Sequence, residues 1–248
     1  MDESYRDIAD RYDRTFSTLS FRIPIEEHSI LKQLGDVRGR SVLEVACGTG
    51  HYTRALLRRG AARVVGVDLS DDMLRVAREE EAQRPLGAVY RAQDAAALSL
   101  GEIFDRVLAV YLLHYASSRE QLAGMCRSIA SHLAPGGKLV TFAVNPDFPS
   151  DPEYYVPFGV RMEITPEPVD GQEFQFALWL GDAWSPGITA YRWSWGTYLV
   201  SLREAGLVDA RIVPLSVAPG AGERDADKWS PYVDRPHCIL IEATKPGC

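Results

Sequence analysis

The sequence lacks the features that mark several large classes of protein. Its four cysteines, at positions 47, 126, 238 and 248, are far apart and form no CxxC pair, so we predict neither a zinc site nor a disulfide framework. No apolar run approaches the length that spans a bilayer, and the charged N-terminal segment has no apolar signal-peptide region. We therefore expect a cytoplasmic protein without a membrane partner.

Positive charge is also scarce. The chain has 27 Lys and Arg against 34 Asp and Glu, a formal net charge of −7, and no Lys/Arg block. Proteins that bind duplex nucleic acid usually present a basic face, because neutralising phosphates supplies most of their affinity. Nucleic acid is therefore disfavoured as a partner. A length of 248 residues with 46% hydrophobic content is typical of a soluble domain with a full-sized core.

Strand-like and helical segments alternate through the first part of the chain. Two helices, over about residues 5–16 and 24–34, come first. Helices are then predicted over 53–59, 70–84 and 118–133. Strands alternating with helices of this kind predict a parallel sheet that is covered on both faces. The predicted strands are 42–45, 63–67, 88–91, 104–111 and 138–144.

The composition changes after Asn145, where a proline-rich stretch begins. Paired strands over 172–180 and 188–195, a helix over 197–205, and strands over 208–215 and 238–243 joined by a polar loop follow it. We predict a single domain over 1–248. Its parts are a helical lid (1–38), a cofactor-binding core (39–145), a substrate-side insertion (146–195) and a C-terminal helix with strands (196–248).

A glycine pair follows the first strand directly. Gly48 and Gly50 let the backbone approach a ligand where a side chain would collide. A dinucleotide site has the pattern GxGxxG, but Thr53 holds the third position here. Asp68 ends the second strand, where a carboxylate can accept both hydroxyls of a ribose. The pattern predicts an adenosine-containing ligand of one of two types, a nicotinamide dinucleotide or another adenosine cofactor.

Five motifs, in this order and spacing, resemble those of class I S-adenosylmethionine-dependent methyltransferases: VLEVACGTGHYTRALL, VVGVDLSDDMLRVAREE, YRAQDAAAL, FDRVLAVYLLHYA and LAPGGKLV. The resemblance covers about residues 40–144. It implies an α/β, Rossmann-like fold with a seven-stranded, mostly parallel sheet, an antiparallel last strand and a β-containing insertion after strand 5. It also implies S-adenosylmethionine as cofactor and S-adenosylhomocysteine as product.

A looser resemblance is to bacterial small-molecule methyltransferases of the toxoflavin-biosynthesis type. It is carried by the opening YRDIADRYDRTF and by TAYRWSWGTYLVSLREAGL. Together the two resemblances favour a small-molecule substrate.

The first resemblance implies the positions that bind the cofactor. The glycine loop supports its amino-acid end, Asp68 binds the ribose, and Asp94 accepts from the exocyclic amine of the adenine. Val110 and Tyr111 lie beside the sulfonium. The predicted cofactor-binding residues are Tyr5, Tyr12, Glu44, Ala46, Cys47, Gly48, Gly50, Asp68, Leu69, Met73, Asp94, Ala95, Val110 and Tyr111.

Methyl transfer from a sulfonium is an in-line displacement, so alignment and exclusion of water carry much of the catalysis. The candidate catalytic residues are His114 and Tyr12. His114 either acts as a base or packs against the following helix. Tyr5 and Tyr12 share one face of the first helix, which either covers the cofactor as a lid or simply packs down. We predict no metal site.

The predicted substrate contacts are Arg22, His114, Asn145, Tyr191 and Trp193. Arg22 either pairs with a carboxylate or is solvated. Tyr191, Trp193 and Trp195 alternate at strand spacing, which predicts that they share a face. That face either belongs to the core or stacks on a planar substrate in the cleft.

The sequence thus predicts methyl transfer to nitrogen or oxygen of a small, heteroaromatic metabolite of natural-product biosynthesis. Two alternatives remain. A Rossmann-type NAD-dependent oxidoreductase is opposed by Thr53 and by the DLSDDML run. A non-catalytic S-adenosylmethionine-binding sensor stays open, because this chemistry requires no signature base.

Overall fold

The computed structural model describes residues 8–163, 169–221 and 226–247. Within them the chain forms a seven-stranded sheet and a three-stranded sheet. The strands are β1 (Ser41–Val45), β2 (Arg63–Asp68), β3 (Val89–Ala92), β4 (Phe104–Val110), β5 (Leu133–Val144), β6 (Val160–Met162), β7 (Gln172–Leu178), β8 (Ile188–Arg192), β9 (Val208–Val213) and β10 (Cys238–Thr244).

Helices cover both faces of the larger sheet. They are α1 (Ala9–Tyr12), α2 (Thr15–Thr18), α3 (His28–Leu34), α4 (His51–Arg58), α5 (Asp71–Gln83), α6 (Arg119–His132), α7 (Trp195–Glu204) and α8 (Ala226–Asp234), with a π-helical segment at Arg22–Glu27 and 3-10 turns at Ala95–Ala97, Leu113–Tyr115 and Val156–Phe158. In the part of the chain that the structure describes, no helix has the length and apolar character needed to cross a membrane.

The larger sheet has the strand order β3-β2-β1-β4-β5-β10-β9. β1 to β5 are mutually parallel, and β10 is antiparallel to both of its neighbours. This confirms the predicted class I fold with its antiparallel last strand. The strand order reverses between β1 and β4, and ligands of such sheets bind outside the carboxyl ends of the strands at that point.

Alternation along the strands divides the core into two layers. Val42 and Val64 belong to the hydrophobic cluster on one face of the sheet, whereas Leu43 and Val65 belong to the cluster on the other. Successive strand residues point to opposite faces, so a sheet that is covered on both sides needs an uninterrupted apolar run. The VVGVD and SVLEV segments supply it.

Serine caps fix the starts of two helices. The Ser70 hydroxyl accepts the N–H of Met73 at 3.3 Å, and the Ser118 hydroxyl accepts the N–H of Gln121 at 3.2 Å. Each cap satisfies a backbone donor that the first helical turn leaves unpaired. The predicted start of the helix at Ser70 or Asp71 is thereby confirmed.

The C-terminal part differs from the sequence prediction in three places. Helix α8 occupies the predicted polar loop, and it buries Trp229 and Tyr232 although Pro231 lies inside it. Strand β8 ends at Arg192, and Trp195 begins α7, so Tyr191, Trp193 and Trp195 do not share one strand. The predicted hairpin of β7 and β8 is present, and β6 extends it to three strands.

Candidate functional site

The loop between β1 and α4 has an unusual backbone. Ala46, Gly48 and Gly50 have φ angles of 61°, 54° and 81°. The left-handed region is costly for a residue with a Cβ atom, and such strain persists where the surrounding structure fixes it. Here the N–H of Cys47 donates to the carbonyl of Val67 at 2.9 Å, and the N–H of Gly50 donates to that of Cys47 at 2.9 Å. The loop is therefore held rigidly at the ends of β1 and β2.

Thr53 occupies the third position of the glycine pattern. Its side chain fits there because Gly66, on the neighbouring strand β2, has no Cβ atom. A Cβ atom on Gly66 would lie 2.8 Å from Oγ1 of Thr53 and 2.9 Å from Sγ of Cys47. The Thr53 hydroxyl donates to the carboxyl of Glu44. Burial raises the pKa of Glu44 to about 8, although the hydrogen bonds from Thr53 oppose this shift. Glu44 and Cys47 thus support the loop from behind.

Asp68 joins the loop to the end of β2. Its Oδ2 accepts the N–H of Gly48 at 2.8 Å, and its Oδ1 accepts the N–H of Ser70 at 2.9 Å. Burial raises its pKa, and these backbone donors oppose the shift. A carboxylate offers about four lone-pair positions, so two remain for further donors. After β3, Oδ1 of the exposed Asp94 accepts the N–H of Ala96 at 2.8 Å.

A cleft of about 560 Å³ runs along the carboxyl ends of β1, β2, β3 and β4. The predicted site residues that line it are Tyr12, Ala46, Gly48, Asp68, Leu69, Met73, Asp94, Ala95, Val110, Tyr111 and Tyr191. Sequence reasoning missed others that line it, namely Val45, Val67, Ser70, Gln93, Leu112, Tyr115, Ser117, Gln121, Met125, Glu173 and Thr189. The spacing of Gln121 and Met125 on one helical face was a usable signal.

Five predicted contacts lie away from the cleft. Glu44, Cys47 and Gly50 are buried behind its wall. Trp193 is 3% exposed in the core, and its Nε1 donates to the carbonyl of Ala116 at 3.0 Å. The amide of Asn145 donates to the carbonyl of Pro236 at 2.9 Å and accepts the N–H of Asp147 at 2.9 Å. In this structure none of the five lines the cleft.

The first helix lies at the mouth of the cleft. Asp10 pairs with Arg75 of α5 at 2.7 Å, and Asp13 accepts the hydroxyl of Thr49 at 3.1 Å. Tyr12 between them lines the cleft, which favours a lid over plain packing. Burial raises the pKa of Tyr12, and the neighbouring Arg22 opposes this. Tyr5, its predicted companion, lies outside the described residues.

A second, inner cavity of about 20 Å³ adjoins the cleft. Tyr12 and Tyr111 line both spaces, so they form the wall between them. Tyr111 also has a left-handed backbone, with φ 58°. A space of this size holds about one water molecule. The other residues that line it are Leu19, Phe21, Arg22, His114, Val144, Val160, Met162, Phe176, Leu178, His237 and Cys238.

Arg22 is 2% exposed, so its predicted solvated alternative is wrong. Its guanidinium carbon lies 3.7 Å from the centre of the Phe16 ring, and its Nε lies 3.7 Å from Oε2 of Glu26. The guanidinium also donates to the hydroxyl of Thr15. Burial raises the pKa of Glu26, and the charge of Arg22 lowers it. The π-helical segment brings this ion pair to the inner cavity.

Two buried histidines border the same cavity. Nδ1 of His114 accepts the N–H of Val144 at 3.4 Å, so a neutral ring carries its hydrogen on Nε2. Nδ1 of His237 lies 2.8 Å from the Tyr232 hydroxyl, and its Nε2 lies 3.4 Å from that of Tyr111. Burial lowers the pKa of each histidine to about 3. His114 is therefore a hydrogen-bond donor toward the cavity and a poor base.

Among the described residues, no three His, Cys, Asp or Glu side chains are grouped so that they could hold a metal ion. The polar groups of the cleft are instead backbone N–H groups, hydroxyls and separate carboxylates. Such a lining suits an uncharged or cationic nucleoside.

Comparison with known proteins agrees with this geometry. Residues 42–137 match the family described as a methyltransferase domain. The chain is 36% identical over 134 residues to a demethylmenaquinone methyltransferase of Tropheryma whipplei, covering 54% of each protein. It is 31% identical over 119 residues to a ubiquinone biosynthesis O-methyltransferase of Coxiella burnetii, covering 48% of this chain and 49% of that protein. The matches thus span about half the length of these curated relatives.

The fold has counterparts among solved structures. An S-adenosylmethionine-dependent methyltransferase from Mesorhizobium loti superposes with a TM-score of 0.64 at 23% identity, over 89% of this chain and 97% of that chain. At this coverage the similarity extends beyond the matched residues 42–137.

Proposed function

We propose, from the fold, the site and the match of residues 42–137 to a methyltransferase-domain family, that the protein transfers a methyl group from S-adenosylmethionine to oxygen or nitrogen of a small, planar metabolite. The observation that carries the proposal is the pair of adjoining spaces. A long polar cleft with a nucleoside-binding edge meets an apolar inner cavity, and Tyr12 and Tyr111 separate them.

The residues of the cleft fit this cofactor. Asp68 keeps two acceptor positions for the ribose hydroxyls, since its backbone bonds use only one per oxygen. Leu69 and Met73 offer apolar contacts for the adenine, and Asp94 offers an acceptor beside them. The left-handed Ala46 and Gly48 turn the loop backbone toward the amino-acid end. The cofactor supplies an electrophilic methyl group on a positively charged sulfur.

The protein contributes alignment and exclusion of water. Tyr12 and Tyr111 stand where the cleft meets the inner cavity, and aromatic faces stabilise a nearby cation. α1, held by Asp10 and Asp13, covers this junction. Holding the two reactants in line accounts for several kcal/mol, about 7–11 in favourable cases, without an acid or base.

A ring-shaped acceptor is supported by two relatives that are named for quinones, a demethylmenaquinone methyltransferase and a ubiquinone biosynthesis O-methyltransferase. The apolar walls of the inner cavity suit such a ring. The heteroaromatic character of the acceptor and its place in natural-product biosynthesis belong to the same proposal.

Calorimetry tests the cofactor assignment. S-adenosylhomocysteine is expected to bind, and NAD is expected not to bind. Replacing Asp68 with Ala removes two charged hydrogen bonds to the ribose, worth roughly 3 kcal/mol together, so affinity falls about 100-fold. Asp36→Ala is the matched control, since Asp36 is an exposed aspartate that binds Arg38. Unchanged affinity in Asp68→Ala would show that the ribose lies elsewhere.

Turnover is tested with methyl-labelled S-adenosylmethionine and a panel of ring hydroxyls and ring amines. Transfer of the label to one acceptor supports the proposed methyltransferase activity. Tight cofactor binding with no label in any acceptor supports the sensor alternative instead.

A further inference from the structure

Arg22 lines the otherwise largely apolar inner cavity, and its partner Glu26 is buried beside it. Arg22 and Glu26 are 2% and 0% exposed, and Nε of Arg22 lies 3.7 Å from Oε2 of Glu26. The cost of burying an ion pair is recovered only when good hydrogen bonds satisfy its remaining polar atoms. This pair does not meet that condition, so stability alone does not explain it.

The polar atoms that lack partners lie side by side. Among the described residues, Nε of Arg22 is buried without a hydrogen bond. Both carboxyl oxygens of Glu26 are buried as well, and the Tyr111 hydroxyl is the hydrogen-bonding group that lies near them. Like Nε of Arg22, Nε2 of His114 on the opposite wall of the cavity has no hydrogen bond to a described residue. Native proteins contain few such atoms, and a ligand that binds there accounts for them.

A hydroxyl group complements this set. It donates to the Glu26 carboxylate and accepts from Nε of Arg22 through the same oxygen. A protonated amine would be repelled by Arg22, and the nitrogen of an aromatic amine is a weak acceptor. We propose that the inner cavity binds a planar aromatic acceptor through an acidic hydroxyl group, and that the oxygen of this hydroxyl is the methylated atom. This inference rests on the proposed methyl transfer and narrows it to oxygen.

The proposed step balances as follows. The bound hydroxyl gives its proton to the Glu26 carboxylate, and the oxyanion that remains pairs with Arg22. A lone pair of the oxyanion forms the bond to the methyl carbon while the carbon–sulfur bond breaks. Its electron pair stays on sulfur, which becomes a neutral thioether, and Glu26 returns its proton to solvent after product release. Burial raises the pKa of Glu26, the direction that a base for an acidic hydroxyl needs.

The surrounding groups suit an anion. Tyr12, Tyr52, Tyr111, Tyr232 and Cys238 face the pair, and burial raises the pKa of each, so all five are neutral. His237 is neutral as well, because burial lowers its pKa to about 3. The carboxylates of Glu27 and Asp68 also act on this cluster. Once Glu26 holds the proton, Arg22 is the charge that pairs with the oxyanion.

Entry of an acceptor requires the cavity to widen. At about 20 Å³ it has room for one water molecule and no aromatic ring. Tyr12, Leu19, Phe21 and Arg22 line it from the N-terminal segment. Outward movement of this segment enlarges the space without disturbing β4 or β5.

The test uses two probes of matched shape, 4-nitrophenol and 4-nitroaniline, with the full chain saturated by S-adenosylhomocysteine. We expect 4-nitrophenol to bind at least tenfold more tightly and to show the phenolate absorption band at least one pH unit below its free transition. Equal affinity for the two probes, binding of the neutral phenol, or no binding of 4-nitrophenol would overturn the inference.

Variants of the pair separate this role from a structural one. Arg22→Met is expected to weaken 4-nitrophenol binding at least tenfold, and Glu26→Gln to strengthen it, because it removes the competing anion. A merely structural pair would weaken binding in both. Arg22→Lys keeps the charge and restores the phenolate band in part. Arg161→Met is the control, since the Arg161 guanidinium also lies over a ring, that of Trp184 at 4.3 Å, but at an exposed position.

Folding and cofactor binding are measured on every variant. The double variant Arg22→Met with Glu26→Gln removes both charges together, so no unpaired charge stays buried, and it is expected to fold and to lose the phenolate band. If wild-type protein fails to bind S-adenosylhomocysteine, the proposed function fails. If it binds S-adenosylhomocysteine normally but holds 4-nitrophenol in its neutral form, only the present inference fails.

Discussion

Replacement of Glu44 with Gln is expected to change how the stability of the protein depends on pH. Glu44 is 1% exposed, and burial raises its pKa to about 8 from an ordinary 4.5. Between these values the native state binds one proton more than the unfolded state. The free energy of unfolding of the wild type therefore falls as pH rises through this window.

The magnitude follows from the size of the shift. Each pH unit inside the window costs about 1.4 kcal/mol. Most of the range from pH 5 to pH 8 lies within it, so the wild type loses about 3 kcal/mol there on account of Glu44. Gln at this position does not titrate. Its buried amide lacks a full set of hydrogen-bond partners, which lowers the free energy of unfolding by about 1–3 kcal/mol at every pH.

Urea unfolding of both proteins at pH 5, 6.5 and 8 measures the difference directly. Glu44→Gln should be less stable than the wild type at pH 5. Between pH 5 and pH 8 the difference in the free energy of unfolding should shift by about 3 kcal/mol in favour of the variant. Glu102→Gln is the control. The hydrogen bond from Arg63 lowers the pKa of Glu102. Glu102 is therefore ionised from pH 5 to pH 8, and the effect of Glu102→Gln on the free energy of unfolding should stay constant over this range. A constant difference for Glu44→Gln would mean that Glu44 is ionised and that our account of the loop is wrong.

The remaining predictions concern the cleft and its neighbours. Affinity for S-adenosylhomocysteine should change less than threefold in Glu44→Gln, because Glu44 does not line the cleft. Calorimetry measures this affinity, and a tenfold loss would show that Glu44 contacts the cofactor. Trp193→Ala should cost about 3–5 kcal/mol in urea unfolding, whereas Tyr191→Ala, at a residue that lines the cleft, should cost less; equal costs would contradict the core position of Trp193. The imidazoles of His114 and His237, whose pKa values are lowered to about 3, should not titrate between pH 5 and pH 8 in NMR spectra. A midpoint in that range would show either ring to be accessible to water.

The cofactor side of the site could be predicted from sequence because its residues are local to the strand ends. Asp68 is the last residue of β2 and Tyr111 follows β4, so the strand pattern alone brings them to one edge of the sheet. The packing role of Glu44 could not be predicted, because a carboxylate that binds a ligand and one that binds a helix start look the same in sequence. Only the contact with Thr53 distinguishes them.

The acceptor side could not be predicted in the same way. Arg22, Tyr111 and His237 meet in one cavity although they come from distant segments, and only packing brings them together. The apolar spacing of Arg22–Glu27 is compatible with an ordinary helix, so the π-helical turn that places Glu26 beside Arg22 left no mark in the pattern. Helix α8 was missed because Pro231 lies inside it and the stretch before it, APGAGERD, has the glycine and proline content of a loop.

The contact between Thr53 and Gly66 has a consequence for the evolution of such loops. The two positions share one volume, so the side chain allowed at either depends on the other. A larger residue at position 66 becomes tolerable only once position 53 has become glycine or alanine, and the effects of the two changes should be strongly non-additive. Paired substitutions at positions 53 and 66 can therefore exchange which of the two carries glycine, while the shape of the ligand groove is preserved. Thr at the third position of the glycine motif is then to be read together with Gly66.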